Sequence, residues 1–216
     1  MATELIPLFP LSLVLLPAMP LPLHIFEDRY KQMMRDVISS ESDFGVVLAK
    51  DEGTLNIGCT AVVRRVMRRY EDGRLDLLAI GQRRFRIHEL NDDKPYLQAE
   101  VEFFEDTDLS EVSADLKQRA TKAYRQLLKL EGVAEGEAEE RQKADLGRLS
   151  FQIGHLLDDT EKRQTVLALR SEVLRLEFLV KAVPQYLSEQ ERITLAKRVA
   201  PLNGHAKAAG VPNDEH

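Results

Sequence analysis

The sequence predicts an α+β fold: a small barrel-like or sandwiched antiparallel sheet holding one helix, followed by a C-terminal α-helical bundle. Three observations carry this. Leu97, Ala99, Val101 and Phe103 alternate with Gln98, Glu100 and Glu102, the period-two pattern of a half-buried strand. The stretch RRYEDGRLDL places Asp72-Gly73 at the turn of a hairpin. From Leu109 onwards the apolar residues step by three or four instead, which is helical spacing. The change near residue 108 divides the chain into a β-rich part, 1–107, a helical part, 108–200, and a tail, 201–216, whose composition predicts disorder. The junction EDTDLS (105–110) is too short for a flexible tether, so the two parts are expected to pack together.

The first element is the hardest to place. Between Leu5 and Phe26 there is no Asp, Glu, Lys or Arg, a run long enough to suggest a membrane span. Pro7, Pro10, Pro17, Pro20 and Pro22 exclude a continuous helix, because each interior proline removes a hydrogen bond at a cost of roughly 3 kcal/mol. No Lys or Arg precedes the run, as an export signal requires. The expectation is buried, extended chain with prolines at turns and strand edges, and no membrane contact.

A helix follows near Glu27, with Tyr30, Met33, Met34, Val37 and Ile38 on one face and acidic residues in its first turn. Strands are expected at Phe44–Ala49, Ile57–Val63, Leu75–Ala79 continuing through Phe85 and Ile87, and Leu97–Phe103. In the helical part, Leu109 to Leu130 reads as one helix and Leu146 to Leu156 as a second. On the latter, Gly147 and Gly154 would admit a close neighbour. Asp158 with Glu161 and Ser188 with Glu191 have the spacing of capping boxes, and Ser171 that of a helix cap. Val166, Leu169, Val173, Leu176, Val180 and Val183 form a seam too short for a coiled coil, so it reads as bundle core.

Composition excludes several functions. Net charge is −6 over 216 residues, unlike a general nucleic-acid binder. A single cysteine, Cys59, excludes an internal disulfide and fits a reducing, cytoplasmic setting. No Gly-Lys pair occurs, which removes a phosphate-binding P-loop, and GxSxG, HExxH and CxxC are absent. The five histidines lie at no ligand spacing, so no catalytic residue, cofactor or metal is expected.

Two features remain. His24 interrupts the apolar run; the plainer reading is a half-buried histidine hydrogen-bonded near the helix start, the sharper one a ligand or base. Arginines cluster at Arg64, Arg65, Arg68 and Arg69, and again at Arg83, Arg84 and Arg86. If adjacent strands carry both groups, Arg64, Arg65, Arg83 and Arg84 make a phosphate-binding patch. Otherwise they cover an exposed sheet face and pair with Glu71, Asp72 and Asp76. Residues 1–106 carry 13 basic against 18 acidic side chains, which favours the second reading.

The stretch LFPLSLVLLPAMPLPLHIFEDRYKQMM resembles the start of the N-terminal, substrate-binding domain of ATP-dependent Lon proteases. In the same order come LNIGCTAVVRRV, DGRLDLLAIGQRRFRI, PYLQAEVEFFE, EKRQTVLAL and RLEFL, so the resemblance spans roughly residues 4–187. It implies a PUA-like antiparallel β pseudo-barrel followed by a helical bundle. The ATPase and peptidase parts of such proteases have no counterpart in these 216 residues. The resemblance therefore implies a stand-alone, non-enzymatic module that binds unfolded or extended polypeptide segments. Candidate contacts lie where the Pro-Leu segment meets the helix: Pro22, His24, Phe26, Asp28, Arg29 and Gln32. For Pro22 and Phe26 the competing role is core packing, and for Asp28, Arg29 and Gln32 a solvated helical turn. Alternatives are RNA binding through the arginines, an adaptor that docks on a separate protease or chaperone, and a homodimer.

Overall fold

The computed structural model describes residues 3–50, 53–134, 136–137 and 148–199. Strands β1 (Glu4–Leu11) and β2 (Pro20–Ile25) precede helix α1 (Asp28–Ser40). Strands β3 (Phe44–Lys50), β4 (Gly53–Arg69), β5 (Leu75–Asn91) and β6 (Gln98–Phe103) follow, then helices α2 (Ala114–Leu130), α3 (Leu149–His155), α4 (Thr160–Ala168) and α5 (Glu172–Val199). The strand order is β2-β5-β4-β3-β1-β6, and β6 also pairs with β5. Five strands thus close into a barrel, while β2 lies beside the first half of β5.

The sheet is mixed: β1 runs parallel to β3, and every other strand pairing is antiparallel. The parallel pair needs a crossover, and β2 with α1 supplies it. The barrel interior is small. Phe85 fills it with Ile6, Leu8, Val47, Ala99 and Val101. Gly45 and Gly58 make room for the ring: a Cβ at either would stand 2.8 or 2.5 Å from Phe85 Cζ.

The opening apolar run joins this barrel to the helices. Its Leu8 and Phe9 lie in β1, and Val14, Leu15 and Leu16 form a buried connection to β2. The Leu16 carbonyl comes so near Gly81 that a Cβ there would meet it at 2.3 Å. The Leu16 side chain reaches Gly154 on α3, which is the close approach expected at that glycine; Gly147 and Leu146 lie outside the described residues. A single cluster of buried residues runs from this run and α1 through α2, α3, α4 and α5.

A buried ionic joint adds to that contact. Asp106, just after β6, accepts from Arg84 of β5 at 2.6 Å and from both terminal nitrogens of Arg175 of α5 at 2.8 and 2.7 Å. Arg148 approaches the same carboxylate at 2.9 Å. Arg175 also donates to Ser150 and Glu172, so its buried donors are satisfied. Burial by itself would raise the Asp106 pKa, but Arg175 and Arg84 outweigh it and hold the carboxyl at about 2.

Several helix limits differ from the sequence reading. α2 begins at Ala114, because Ser113 caps it by accepting from the Leu116 N–H, and Leu109 stays exposed in the preceding loop. Asp159, not Asp158, caps α4 by accepting from the Lys162 N–H. Ser171 accepts from the Leu174 N–H and opens α5 as expected. Ser188 starts no new helix: α5 continues through it, with Pro184 inside. The tail 201–216 lies outside the described residues.

Candidate functional site

Strands β2, β5 and β4 form a three-stranded ribbon whose two faces differ. In antiparallel ladders paired residues point to the same face. On the inner face, Leu21 and Leu23 pair with Ala79 and Leu77, and these with Val63 and Val66, all packed on the core. The outer face carries three rows: Pro20–Ile80–Val62, Pro22–Leu78–Arg65 and His24–Asp76–Arg68. Ile80, Val62 and Leu78 are half-buried and Pro20 and Pro22 exposed, so two apolar rows face outward. Register shifts between Val63 and Arg65 and between Val66 and Arg68 insert Arg64 and Met67, and Met67 is exposed.

The row nearest the hairpin turn is polar and aromatic. His24 Nδ1 and Asp76 Oδ1 are hydrogen-bonded at 2.6 Å, and the Tyr70 hydroxyl donates to Asp76 Oδ2 at 2.8 Å. These bonds, first from His24 and then from Tyr70, hold the Asp76 carboxyl below the usual carboxylate range. His24 is exposed rather than half-buried; its ring stacks on Phe26 at 6.0 Å and meets Tyr70 edge-on at 6.0 Å. Phe26 is 59% exposed, so core packing does not account for it.

The β2 edge restricts how a chain can approach. β2 pairs only with β5 among the described residues. Pro20 and Pro22 have no N–H, so their rows are the non-hydrogen-bonded pairs and their outer side faces solvent. Between Pro20 and His24 that edge offers a single N–H, from His24. A strand added along it would find the carbonyls but lack two of the three N–H donors.

Of the residues expected to bind polypeptide, Pro22, His24 and Phe26 converge on this face. Asp28, Arg29 and Gln32 sit at the start of α1, next to the turn, where Lys31 donates to the Asp72 carbonyl at 3.2 Å. Asp28 pairs with Lys31 at 3.1 Å and Arg29 with Glu27 at 2.8 Å; Gln32 is half-buried.

The four arginines divide. Arg64 and Arg65 are exposed beside the apolar rows. Arg83 lies over the Phe103 ring at 3.6 Å, on another part of the barrel. Arg84 is 4% exposed and bound to Asp106 and to the Leu167 and Leu169 carbonyls, so it offers no donor to a phosphate. Arg84 and Phe85 are neighbours on β5 and point to opposite faces, Phe85 into the barrel and Arg84 into the joint with the helices. Arg74, outside both clusters, pairs with Asp72 at 2.7 Å.

Sequence reasoning missed Leu78, Ile80 and Tyr70. The signal was present: Leu75, Leu77 and Ala79 face inward, which puts 76, 78 and 80 outward. The site offers contact surface and charge. Cys59 is fully buried, and burial pushes its thiol up to about 12, which withdraws it as a nucleophile. Among the described residues no group of three His, Cys, Asp or Glu is placed to hold a metal ion, and no helix is long and apolar enough to cross a membrane.

Comparison with known proteins gives a consistent result. The family model described as the substrate-binding domain of ATP-dependent protease La (LON) matches residues 5–184. A Lon protease of Parabacteroides distasonis is 30% identical over 112 residues, 48% of this chain and 14% of that protein. One from Cytophaga hutchinsonii is 24% identical over 134 residues, 58% of this chain and 16% of that protein. The chain therefore spans a small fraction of the length of the curated relatives it matches. Among solved structures, a Lon N-terminal domain protein from Xanthomonas campestris superposes with a TM-score of 0.66 at 28% identity, covering 82% of this chain and 98% of that one. The N-terminal domain of a Mycobacterium avium complex Lon protease shares the fold, with a TM-score of 0.59 at 17% identity, covering 84% and 98%.

Proposed function

The chain belongs to the Lon substrate-binding-domain family, and from that premise we propose that it is a non-enzymatic module that holds unfolded or extended polypeptide against the outer face of β2, β5 and β4. The observation that carries this is the exposure of Phe26 beside two outward apolar rows, Pro22–Leu78 and Pro20–Ile80. Unfolded chains expose apolar side chains that native proteins bury, and a shallow face of mixed apolar and polar residues accepts many of them. The proline edge favours contact across the face over strand addition along it.

The test is retention of one protein in two states, native and reduced–carboxymethylated, on the immobilised chain. The expected result is selective retention of the unfolded form, lost on Leu78→Asp. Equal, negligible retention of both forms overturns the reading.

The RNA reading has less support. Its patch required Arg64, Arg65, Arg83 and Arg84 together, and two of these lie elsewhere, one of them buried.

A further inference from the structure

Charge around the outer face runs against that of the chain. The whole chain is −6, yet residues 64–76 hold five arginines and three acidic residues. Two of those acids are already engaged: Asp72 by Arg74, and Asp76 by His24 and Tyr70. Arg64, Arg65 and Arg69 make no ion pair among the described residues, and Arg68 lies over the Tyr70 ring at 4.4 Å. The nearby α1 residues add nothing, since Asp28 with Lys31 and Glu27 with Arg29 cancel. An open cleft of about 540 Å³ at the end of the hairpin is lined by Arg68, Arg69, Tyr70, Glu71, Asp72 and Arg74, so arginines outnumber acids there by three to two.

We propose that the polypeptide segments this face selects are acidic next to an apolar residue: the apolar side chain rests on Pro22 and Leu78, and carboxylates meet Arg65 and Arg68. The proposal rests on the polypeptide-binding reading and adds its sequence preference. Register sets the spacing. Pro22 and Arg65 are separated by one strand, β5, so they stand roughly 10 Å apart at the usual strand spacing. An extended chain advances about 3.3 Å per residue, so the carboxylate falls about three residues from the apolar anchor. Asp76 accepts from His24 and Tyr70 and lies opposite Arg68 across the ladder, whereas Arg65 lies opposite Leu78. Exposed charge pairs of this kind act mainly on selectivity and weaken as salt screens them.

The experiment uses fluorescence anisotropy with three unstructured peptides that share a Phe-Leu centre and differ in residues three positions away: Asp/Glu, Ser/Asn or Lys. At low salt the acidic peptide is expected to bind about tenfold tighter than the Lys peptide, the effect of two exposed charge pairs. The preference should shrink at 0.5 M NaCl. In Arg65→Glu/Arg68→Glu the order should reverse, with a circular dichroism spectrum and urea midpoint matching the parent to show that the variant is folded. Equal affinity for all three peptides overturns the charge preference while leaving polypeptide binding intact. Absence of binding to any peptide overturns both readings. A single-stranded RNA oligomer of equal charge is the fourth probe. Tighter binding of RNA than of the acidic peptide, lost in the same double variant, overturns the proposal in favour of nucleic acid.

Discussion

Pro22 and Arg65 occupy one row of the outer face, each paired with Leu78 of β5 from opposite sides. An apolar residue of the proline-rich opening segment and an arginine of the first cluster thereby become parts of one surface. Neither is near the other in sequence.

Phe26 is more exposed than Met67, the other exposed large hydrophobic residue of this surface, and adds little to the core. Phe26→Ser is expected to weaken binding of an unfolded polypeptide about tenfold, as loss of an aromatic anchor does. Stability should change by no more than about 0.5 kcal/mol. Anisotropy titration and urea unfolding on the same sample check both halves.

Pro20 and Pro22 protect the β2 edge. Replacing both with Thr restores two outward N–H groups on an edge strand. The double variant should self-associate at concentrations where the parent does not, measured by light scattering. An unchanged mass would show that the edge is covered by something other than its prolines.

Asp106 carries the joint between barrel and helices. Asp106→Ala leaves Arg84 and Arg175 buried without their carboxylate and should cost about 3–5 kcal/mol. The pH dependence follows from a carboxyl whose folded pKa, about 2, lies below its ordinary value of 3.8. Its contribution is complete above about pH 4 and is lost as pH falls towards 2, amounting to about 2 kcal/mol. Urea midpoints between pH 5 and pH 2 should show this loss in the parent. The same loss should be smaller in Asp106→Asn, which no longer titrates there.

Two glycines under Leu16 should respond differently. At Gly81 a Cβ meets the Leu16 backbone oxygen at 2.3 Å, so Gly81→Ala should cost about 1–3 kcal/mol through a forced main-chain shift. At Gly154 the obstacles are the ends of the Leu16 and Val166 side chains, at 2.9 and 3.2 Å. Ala gains about 1 kcal/mol over Gly in a helix, so Gly154→Ala should be near neutral. Thermal unfolding of the pair separates backbone from side-chain obstruction.

Much of the barrel was legible because local patterns and tertiary burial agree. Leu75, Leu77 and Ala79 alternate and all three are buried; Asp72-Gly73 turns the chain where expected. The limits of α2 and α5 were less legible. Leu109 has helical spacing and follows Asp108, but that carboxylate is taken by Ser110 and by Ser171 at the start of α5, and Ser113 caps the helix instead; Ser188 resembles a cap, but the helix hydrogen bonds continue past it. The arginines show the main limit. Arg83 and Arg84 are adjacent in sequence, yet one covers a surface ring and the other meets Asp106 in the interior. That partner lies 22 residues away and on no motif, so only the folded chain reveals the division. The placing of His24, Phe26 and Pro22 together was legible from their position at the strand–helix junction, while that of Leu78 and Ile80 required the pairing register of β5.

The most direct measurement is backbone amide NMR of the chain titrated with a reduced, carboxymethylated polypeptide. Binding on the outer face predicts shift changes concentrated at residues 23–26, 62–68 and 76–80, with α2 to α5 unaffected. Changes confined to the helices, or none at saturating polypeptide, would contradict the account.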